Sequence, residues 1–188
     1  KDFYKNAMAV FCQSSIHARV VSQNLKINAI NLGCSMWSNE ELKILRENHG
    51  KNKNEVCAIV QSSNKVKGTD QAIAFCNEKG IKYELIGSLG YSKFISQLTS
   101  YGSIAFFSQV LESFCRLVLE ARMLDCKIYT NGNNGCTTEP WFQKYKGLEL
   151  IDFVERKREE IIDSIADILV PTTAPLESND ITVILNSY

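Results

Sequence analysis

The sequence lacks an excess of charge of either sign, and it lacks any apolar run long enough to cross a membrane. Lysine plus arginine number 21, as do aspartate plus glutamate, so the formal net charge at pH 7 is zero. General binding of polyanions needs a basic excess, and a transmembrane helix needs about 20 consecutive apolar residues. We therefore expect neither nucleic acid as a partner nor a transmembrane segment, and no signal peptide is visible.

The cysteines lack the spacing of a zinc site, and the histidines lack partners. Seven cysteines, an odd number, include no C-x-x-C pair. His17 and His49 lie in polar surroundings without a cysteine or acid at metal or nucleophile spacing. This pattern favours reduced thiols in a cytoplasmic protein over a disulfide framework or a metal site.

The chain also lacks an internal repeat, a Walker-type phosphate loop and a G-x-G-x-x-G motif. What remains is typical of a globular protein: 188 residues, 45% of them apolar and 22% charged. A chain of this length can bury one good core, so one compact domain is the default expectation.

Short apolar runs alternate with segments of helical periodicity along most of the chain. The predicted strands cover residues 56–60, 81–86, 104–107 and 126–130, and the predicted helices include residues 70–79, 91–99 and 148–170. Ser38-Asn39-Glu40-Glu41 is a capping box that starts a short helix, and Gly80 ends the helix at 70–79. Runs that are apolar throughout suit parallel strands covered on both faces. The pattern predicts the α/β class, with a Rossmann-like parallel sheet and helices on both faces.

The stretch 108–131, SQVLESFCRLVLEARMLDCKIYTN, is the most informative segment. Ser113 is a candidate N-cap, and apolar residues beyond it recur on one helical face up to Leu124. The segment therefore reads as loop, helix and strand, following the strand at 104–107. In such sheets ligands bind beyond the carboxyl ends of the strands, which is where Glu112 is expected.

Two carboxylates and one guanidinium share this stretch, because Arg116 lies four residues from both Glu112 and Glu120. A carboxylate can accept hydrogen bonds from two neighbouring hydroxyls, and a helix N-terminus offers free N–H groups to a phosphate. The alternative is an ordinary i, i+4 ladder of charges on a solvated helix face.

The Glu-x7-Glu arrangement resembles the donor-sugar signature S-x-x-E-G-F-G-x-x-x-x-E-A of retaining glycosyltransferases of the GT-B architecture. The resemblance implies that Glu112 contacts hydroxyls of the transferred sugar and Glu120 those of the ribose. It also implies that the turn formed by Ser113, Phe114 and Cys115 holds the diphosphate. Ser113 and Cys115 replace the two glycines of the family pattern, and Arg116 is a candidate for compensating with its guanidinium.

A second element of the same family, G-R-x-x-x-x-K-G, is matched in its last two positions by Lys67 and Gly68. The resemblance implies that Lys67 stabilises the departing nucleoside diphosphate, whose negative charge grows in the transition state. The family's arginine position falls on Ser62, so half of the cationic pair is absent, and Lys65 is a candidate substitute. The alternative for Lys67 is a solvated loop lysine.

The resemblance covers roughly residues 56–170, and it implies four segments. We expect residues 1–37 to end a preceding domain or to join two domains, and residues 38–170 to form the donor-binding C-terminal domain. Residues 171–180 read as a linker. Residues 181–188, ITVILNSY, resemble the first strand of a GT-A glycosyltransferase, V-T-V-I-I-P-T-Y-N, which would make the chain a piece of a longer multidomain transferase.

The implied function is transfer of a sugar, of the hexosyltransferase type, from a nucleotide diphosphate sugar to a hydroxyl of a carbohydrate or lipid-linked acceptor. No cofactor is expected, since GT-B enzymes generally need no metal. Two alternatives stay open: a non-catalytic Rossmann-like interaction module of a larger protein, and a flavodoxin- or receiver-like domain. The acidic cluster that the last would need after its first strand is missing, since Gln61-Ser62-Ser63 stands there.

Overall fold

A computed structural model of the protein describes residues 2–87 and 89–169. Its strands form two parallel sheets: a small one with β1 (Val10–Cys12) and β2 (Ala29–Asn31), and a larger one with β3 (Asn54–Val60), β4 (Tyr83–Ile86), β5 (Tyr101–Phe106) and β6 (Lys127–Thr130). The helices are α1 (Asp2–Lys5), α2 (Ser15–Leu25), α3 (Asn39–Asn48), α4 (Thr69–Lys79), α5 (Tyr91–Leu98), α6 (Arg116–Met123) and α7 (Gly147–Leu169). Parallel sheets flanked by helices confirm the predicted fold class.

The larger sheet has the strand order β4-β3-β5-β6, with every neighbouring pair parallel. From β3 the chain crosses to β4 on one side and then returns to place β5 on the other side. The connections therefore reverse direction between β3 and β5, and a reversal of this kind opens a crevice at the carboxyl ends of the two strands. The loops that follow β3 and β5 meet at this switch point.

The larger sheet separates two hydrophobic clusters. On β3, Ala58 faces the larger cluster, while its neighbours Cys57 and Ile59 face the smaller one, as the two-residue period of a strand requires. Residues from α3, α5, α6 and α7 fill the larger cluster, and Ala72 and Cys76 of α4 fill the smaller. Helices therefore cover both faces of the sheet, which explains why successive residues of the central strands β3 and β5 are buried.

Helix ends follow their sequence signals in two places and depart from them in one. Ser38 and Glu41 form the predicted capping box at the start of α3, and Gly80 ends α4 in the left-handed region at φ 64°. The prediction of Ser113 as an N-cap was wrong. Cys115 caps α6 instead, because the backbone before it pairs with a neighbouring loop and is not free to start a helix.

The first 37 residues contact the loops around the larger sheet. Trp141 Nε1 donates a hydrogen bond to the carbonyl of Gly33 at 2.9 Å, and the Glu139 carboxylate accepts one from the Ser15 amide at 2.6 Å. Both bonds join the β1–α2–β2 segment to residues that follow β6. The boundary near residue 37 stays a prediction, and the expected linker at 171–180 and strand at 181–188 lie outside the described residues.

None of the helices in the described part of the chain combines the length and the hydropathy needed to cross a bilayer. The longest of them, α7, carries charged residues through its middle turns.

Candidate functional site

The loops that follow β3 and β5 interlock at the switch point. The Gln109 amide donates a hydrogen bond to the carbonyl of Val66 at 2.8 Å. Gly68 is buried at φ 71°, and a Cβ atom placed there would lie 1.8 Å from the carbonyl oxygen of Phe107. Only glycine permits this approach. The lysine and glycine pair singled out in the sequence therefore lies directly against the loop that carries Glu112.

This contact brings two predicted site residues together. Lys67 Nζ donates to Glu112 Oε1 at 2.9 Å, with the side chains 34% and 16% exposed. The buried Ser108 hydroxyl lies 3.3 Å from the same carboxylate oxygen. Glu112 thus pairs with a lysine on another loop and not with Arg116, as the charge-ladder alternative would have required. Lys67 is likewise not a freely solvated lysine.

The backbone of Glu112 is held by the loop that follows β6. Its amide donates to the Asn133 carbonyl at 2.8 Å, and its carbonyl accepts from the Gly135 amide at 3.0 Å. A Cβ atom on Gly135 would lie 2.1 Å from the carbonyl oxygen of Ser113. In the sequence this loop is the segment N-G-N-N-G-C, whose composition is typical of a turn. Its part in fixing Glu112 was missed, and the glycine at 135 was the available signal.

The turn that replaces the family's glycines keeps a glycine-like backbone at one of its two positions. Cys115 has φ 71° and ψ 79°, in the left-handed region, although an L side chain usually avoids it. Burial raises the pKa of its thiol to about 12, so the thiol stays protonated at neutral pH. At the other position, Ser113 accepts a hydrogen bond from Ser14 Oγ on its carbonyl at 2.6 Å. The buried Ser14 was not recognised from the sequence.

Ser62, at the family's arginine position, shapes its own loop. Its amide donates to Thr69 Oγ1 at 3.2 Å, and its hydroxyl accepts from the Asn64 amide at 3.2 Å. Both bonds close the turn that leads into α4. Lys65, the candidate substitute for the missing arginine, is exposed on the same loop.

A second polar cluster surrounds Arg116 at the first turn of α6. Its Nη2 donates to Glu41 Oε1 at 2.5 Å and to Glu120 Oε1 at 3.3 Å. The guanidinium carbon lies 4.7 Å from the ring centroid of Trp37, a cation–π arrangement. Two carboxylates and an aromatic ring therefore hold this cation.

Glu120, the predicted ribose contact, is only 5% exposed. Besides Arg116, its Oε1 accepts hydrogen bonds from Trp37 Nε1 at 2.9 Å and from the Tyr91 hydroxyl at 3.2 Å. Burial raises the pKa of the Glu120 carboxyl, and the Arg116 cation and the two neutral donors oppose that rise. The sequence did not point to Trp37, Tyr91 or Glu41 as partners. The ribose role of Glu120 stays a prediction.

Charged residues of both clusters affect the Cys115 thiol. Glu112 of the first cluster and Glu120 of the second act to raise its pKa, and Lys67 acts to lower it. The turn at 113–115 therefore connects a Lys67–Glu112 pair at the switch point with the Arg116 cluster at the start of α6.

All seven cysteines are free. Within residues 2–87 and 89–169, no group of three or more His, Cys, Asp or Glu side chains could share a metal ion.

No protein-family model matches this chain, and no curated protein matches it in sequence. Among solved structures, the chain is similar to Anabaena HepE, which was crystallised in complex with UDP and glucose. The superposition covers 88% of this chain and 64% of the HepE chain, at 15% sequence identity and a TM-score of 0.48. The chain thus spans less than two thirds of the HepE chain.

Proposed function

We propose that this chain binds a nucleotide diphosphate sugar as the donor-binding part of a glycosyltransferase. The observation that carries the proposal is the Lys67–Glu112 pair at 2.9 Å, placed where the strand order reverses between β3 and β5. Ligands of open α/β sheets bind at such a reversal. A cation beside a carboxylate suits a ligand that carries both phosphate and hydroxyl groups.

In this proposal Glu112 orients the sugar. Its carboxylate offers several lone pairs, of which Lys67 and Ser108 occupy positions on Oε1. A vicinal diol can therefore bind through Oε2 without displacing them. The backbone bonds to Asn133 and Gly135 fix the position of the carboxylate before the donor arrives, which lowers the entropic cost of binding.

In this proposal Lys67 stabilises the leaving group. A lysine ammonium has three N–H donors, and one of them reaches Glu112. The others can bind the diphosphate as its negative charge grows during transfer. Gly68 allows this lysine to approach, since any side chain at position 68 would collide with the carbonyl of Phe107.

The turn 113–115 and the first residue of α6 complete the proposed diphosphate site. Cys115 keeps the left-handed backbone that a glycine would adopt, and a helix start offers N–H groups without an intrahelical partner to a phosphate. Arg116 adds a second cation at the same end of α6. In this proposal Ser62 contributes the shape of its loop and no charge.

The proposed reaction transfers the sugar to a hydroxyl of a carbohydrate or lipid-linked acceptor, in cytoplasmic polysaccharide or glycoconjugate synthesis, without a cofactor. The acceptor would bind to another domain of the same longer polypeptide. We therefore expect the 188 residues alone to bind the donor but to turn it over slowly. Rapid sugar transfer by this chain alone would contradict the proposal that the acceptor binds to another domain.

The test is a calorimetric and thermal-shift screen of the chain against UDP, GDP, ADP and CDP. A ligand at 100 times its Kd stabilises the folded state by about 2.7 kcal/mol, which is easily measured. We expect one of the four to bind, and we expect Lys67→Met to abolish the shift. The matched control is Lys79→Met, which removes a lysine from an exposed pair with Glu78 on α4. Absence of binding by all four would overturn the proposal and favour the interaction module.

A further inference from the structure

The Glu120 side chain is buried among other side chains of the protein. Its three hydrogen bonds, from Trp37, Tyr91 and Arg116, all reach the single oxygen Oε1. The three donors come from three places: the segment before α3, the first residue of α5, and the first residue of α6. A carboxylate shared in this way joins three elements at the carboxyl edge of the sheet.

We propose that Glu120 is a positioning residue that acts through Arg116, and that Arg116 is the group of this pair that contacts the donor diphosphate. The inference rests on the proposed function and assigns the second carboxylate of the Glu-x7-Glu arrangement a different role from the ribose contact. Glu120 and Glu41 both accept hydrogen bonds from one guanidinium nitrogen, Nη2, while the Trp37 ring lies against one face of the guanidinium.

Burial argues against a direct ribose contact. Glu120 is 5% exposed, so little of its carboxylate is open to a ribose. The three hydrogen bonds on Oε1 leave Oε2 as the one oxygen that two ribose hydroxyls would have to share.

Arg116 has the access that Glu120 lacks. Its side chain is 33% exposed, and it directly follows the turn at Cys115. Both of its ion pairs use Nη2, so Nη1 and Nε stay outside these two bonds. Phosphate oxygens accept charge-assisted hydrogen bonds from guanidinium N–H groups, and Nη1 and Nε can each donate one.

Glu41 helps to fix the Arg116 side chain because its own position is fixed. Its Oε2 accepts the Ser38 amide at 2.7 Å in the capping box, while Oε1 accepts Arg116. Burial acts to raise the pKa of Glu41, but hydrogen bonds from the Ser38 backbone and from Arg116 outweigh it, and the pKa lies below its usual value. Glu41 is therefore ionised at neutral pH. An arginine held from two sides loses little freedom on binding a phosphate.

The experiment is a double-mutant cycle of Glu120→Gln and Arg116→Gln, read by calorimetry. The probes are the nucleoside diphosphate found in the screen and inorganic pyrophosphate, which has no ribose. We expect Glu120→Gln to weaken the binding of both probes by the same factor, about 5-fold or more. In the Arg116→Gln background, we expect it to have no further effect on binding. Arg46→Gln is the matched control, since Arg46 also lies between two carboxylates, those of Asp152 and Glu155.

Two results would overturn the inference. One is a loss from Glu120→Gln that affects the nucleoside diphosphate and spares pyrophosphate, as a ribose contact requires. The other is a double variant whose fold-loss of affinity equals the product of the losses in the two single variants, as independent effects require. If pyrophosphate binds too weakly to measure, the cycle with the nucleoside diphosphate alone decides.

Failure of the inference is distinct from failure of the proposed function. If the wild-type chain binds none of the probes, both fall. If it binds but the cycle is additive, only the positioning role falls. Should Glu120→Gln not fold, Tyr91→Phe takes its place, because it leaves the carboxylate and removes one hydrogen bond to it. The inference then requires an equal loss for both probes, absent in the Arg116→Gln background, and a loss confined to the nucleoside diphosphate overturns it.

Discussion

Lys67 Nζ lies 2.9 Å from Glu112 Oε1, although the two residues are 45 positions apart in the chain. One follows β3 and the other follows β5, so the pair exists only because these strands are neighbours in the sheet. The pair is also partly exposed. Ion pairs of this kind add less than about 1 kcal/mol to stability.

The first prediction separates stability from binding at this pair. We expect Glu112→Gln to change the free energy of unfolding by less than about 1 kcal/mol. The same variant should weaken donor binding by about 10-fold or more, since a charge-assisted hydrogen bond contributes about 1.5–3 kcal/mol. Urea unfolding and calorimetry on one preparation measure the two effects. A large loss of stability with unchanged affinity would show that the pair is structural.

The second prediction concerns the close packing of Gly68 against the carbonyl of Phe107. Gly68→Ala should destabilise the protein by about 2–5 kcal/mol, because the new Cβ would meet the Phe107 carbonyl and φ is positive. Gly50→Ala is the matched control, with φ 75° and nothing within 4 Å of a Cβ atom. It should lose only about 1–2 kcal/mol. Equal losses from the two variants in urea unfolding would contradict the close approach.

The third prediction tests the capping box that also fixes Glu41. Ser38→Ala should lower the free energy of unfolding by about 1 kcal/mol, since the side chain caps the Glu41 amide at 3.2 Å. Ser164→Ala, within α7, removes a hydroxyl that bonds only to the preceding turn at the Glu160 carbonyl. That control should be close to neutral. An unchanged urea midpoint for Ser38→Ala would argue against the capping box.

The fourth prediction follows from the buried carboxyl of Glu120. Burial raises its pKa in the folded state, so its contribution to stability is fully present below the unfolded pKa of about 4.3 and is lost as the pH rises through the folded value. Relative to wild type, Glu120→Gln should therefore gain stability as the pH rises above about 4.3. Urea unfolding at several pH values measures the difference.

Glu41 makes that comparison with Glu120→Gln necessary. Its pKa is lowered in the folded state, so its contribution is present at higher pH and is lost as the pH falls, opposite in sign to that of Glu120. The wild-type profile alone mixes the two groups. The contrary outcome is a stability of Glu120→Gln, relative to wild type, that is independent of pH or falls as the pH rises. Either result would show that the Arg116 cation outweighs burial in setting the pKa of Glu120.

Much of the fold could be predicted because its signals are local. The apolar run at 56–60 lies within β3, the helix predicted to stop at Gly80 ends at Lys79, and the capping residues Ser38 and Glu41 were placed correctly. Such signals depend on neighbours a few residues away. The start of α6 was misplaced at Ser113 for the opposite reason, because the loop after β6, more than 15 residues further along, pairs with the backbone there.

The candidate site was predicted in its residues but not in its contacts. Lys67, Gly68 and Glu112 were chosen through the resemblance to two GT-B sequence motifs, and the structure brings them together where the loops after β3 and β5 meet. The partners of Glu120 could not be predicted, since Trp37 is 83 positions away and nothing in its local pattern indicates a hydrogen bond to a carboxylate.

The sequence by itself determined the alternation of strands and helices, the parallel sheet that this alternation requires, and the left-handed turn at Gly80, because periodicity and backbone sterics act over short distances. Only the tertiary structure decided that Lys67 pairs with Glu112 and that Glu120 faces inward to Trp37, Tyr91 and Arg116. A Glu-x7-Glu spacing places two carboxylates near one helix start. It does not set the direction in which each one points, since that depends on which distant side chains pack around it.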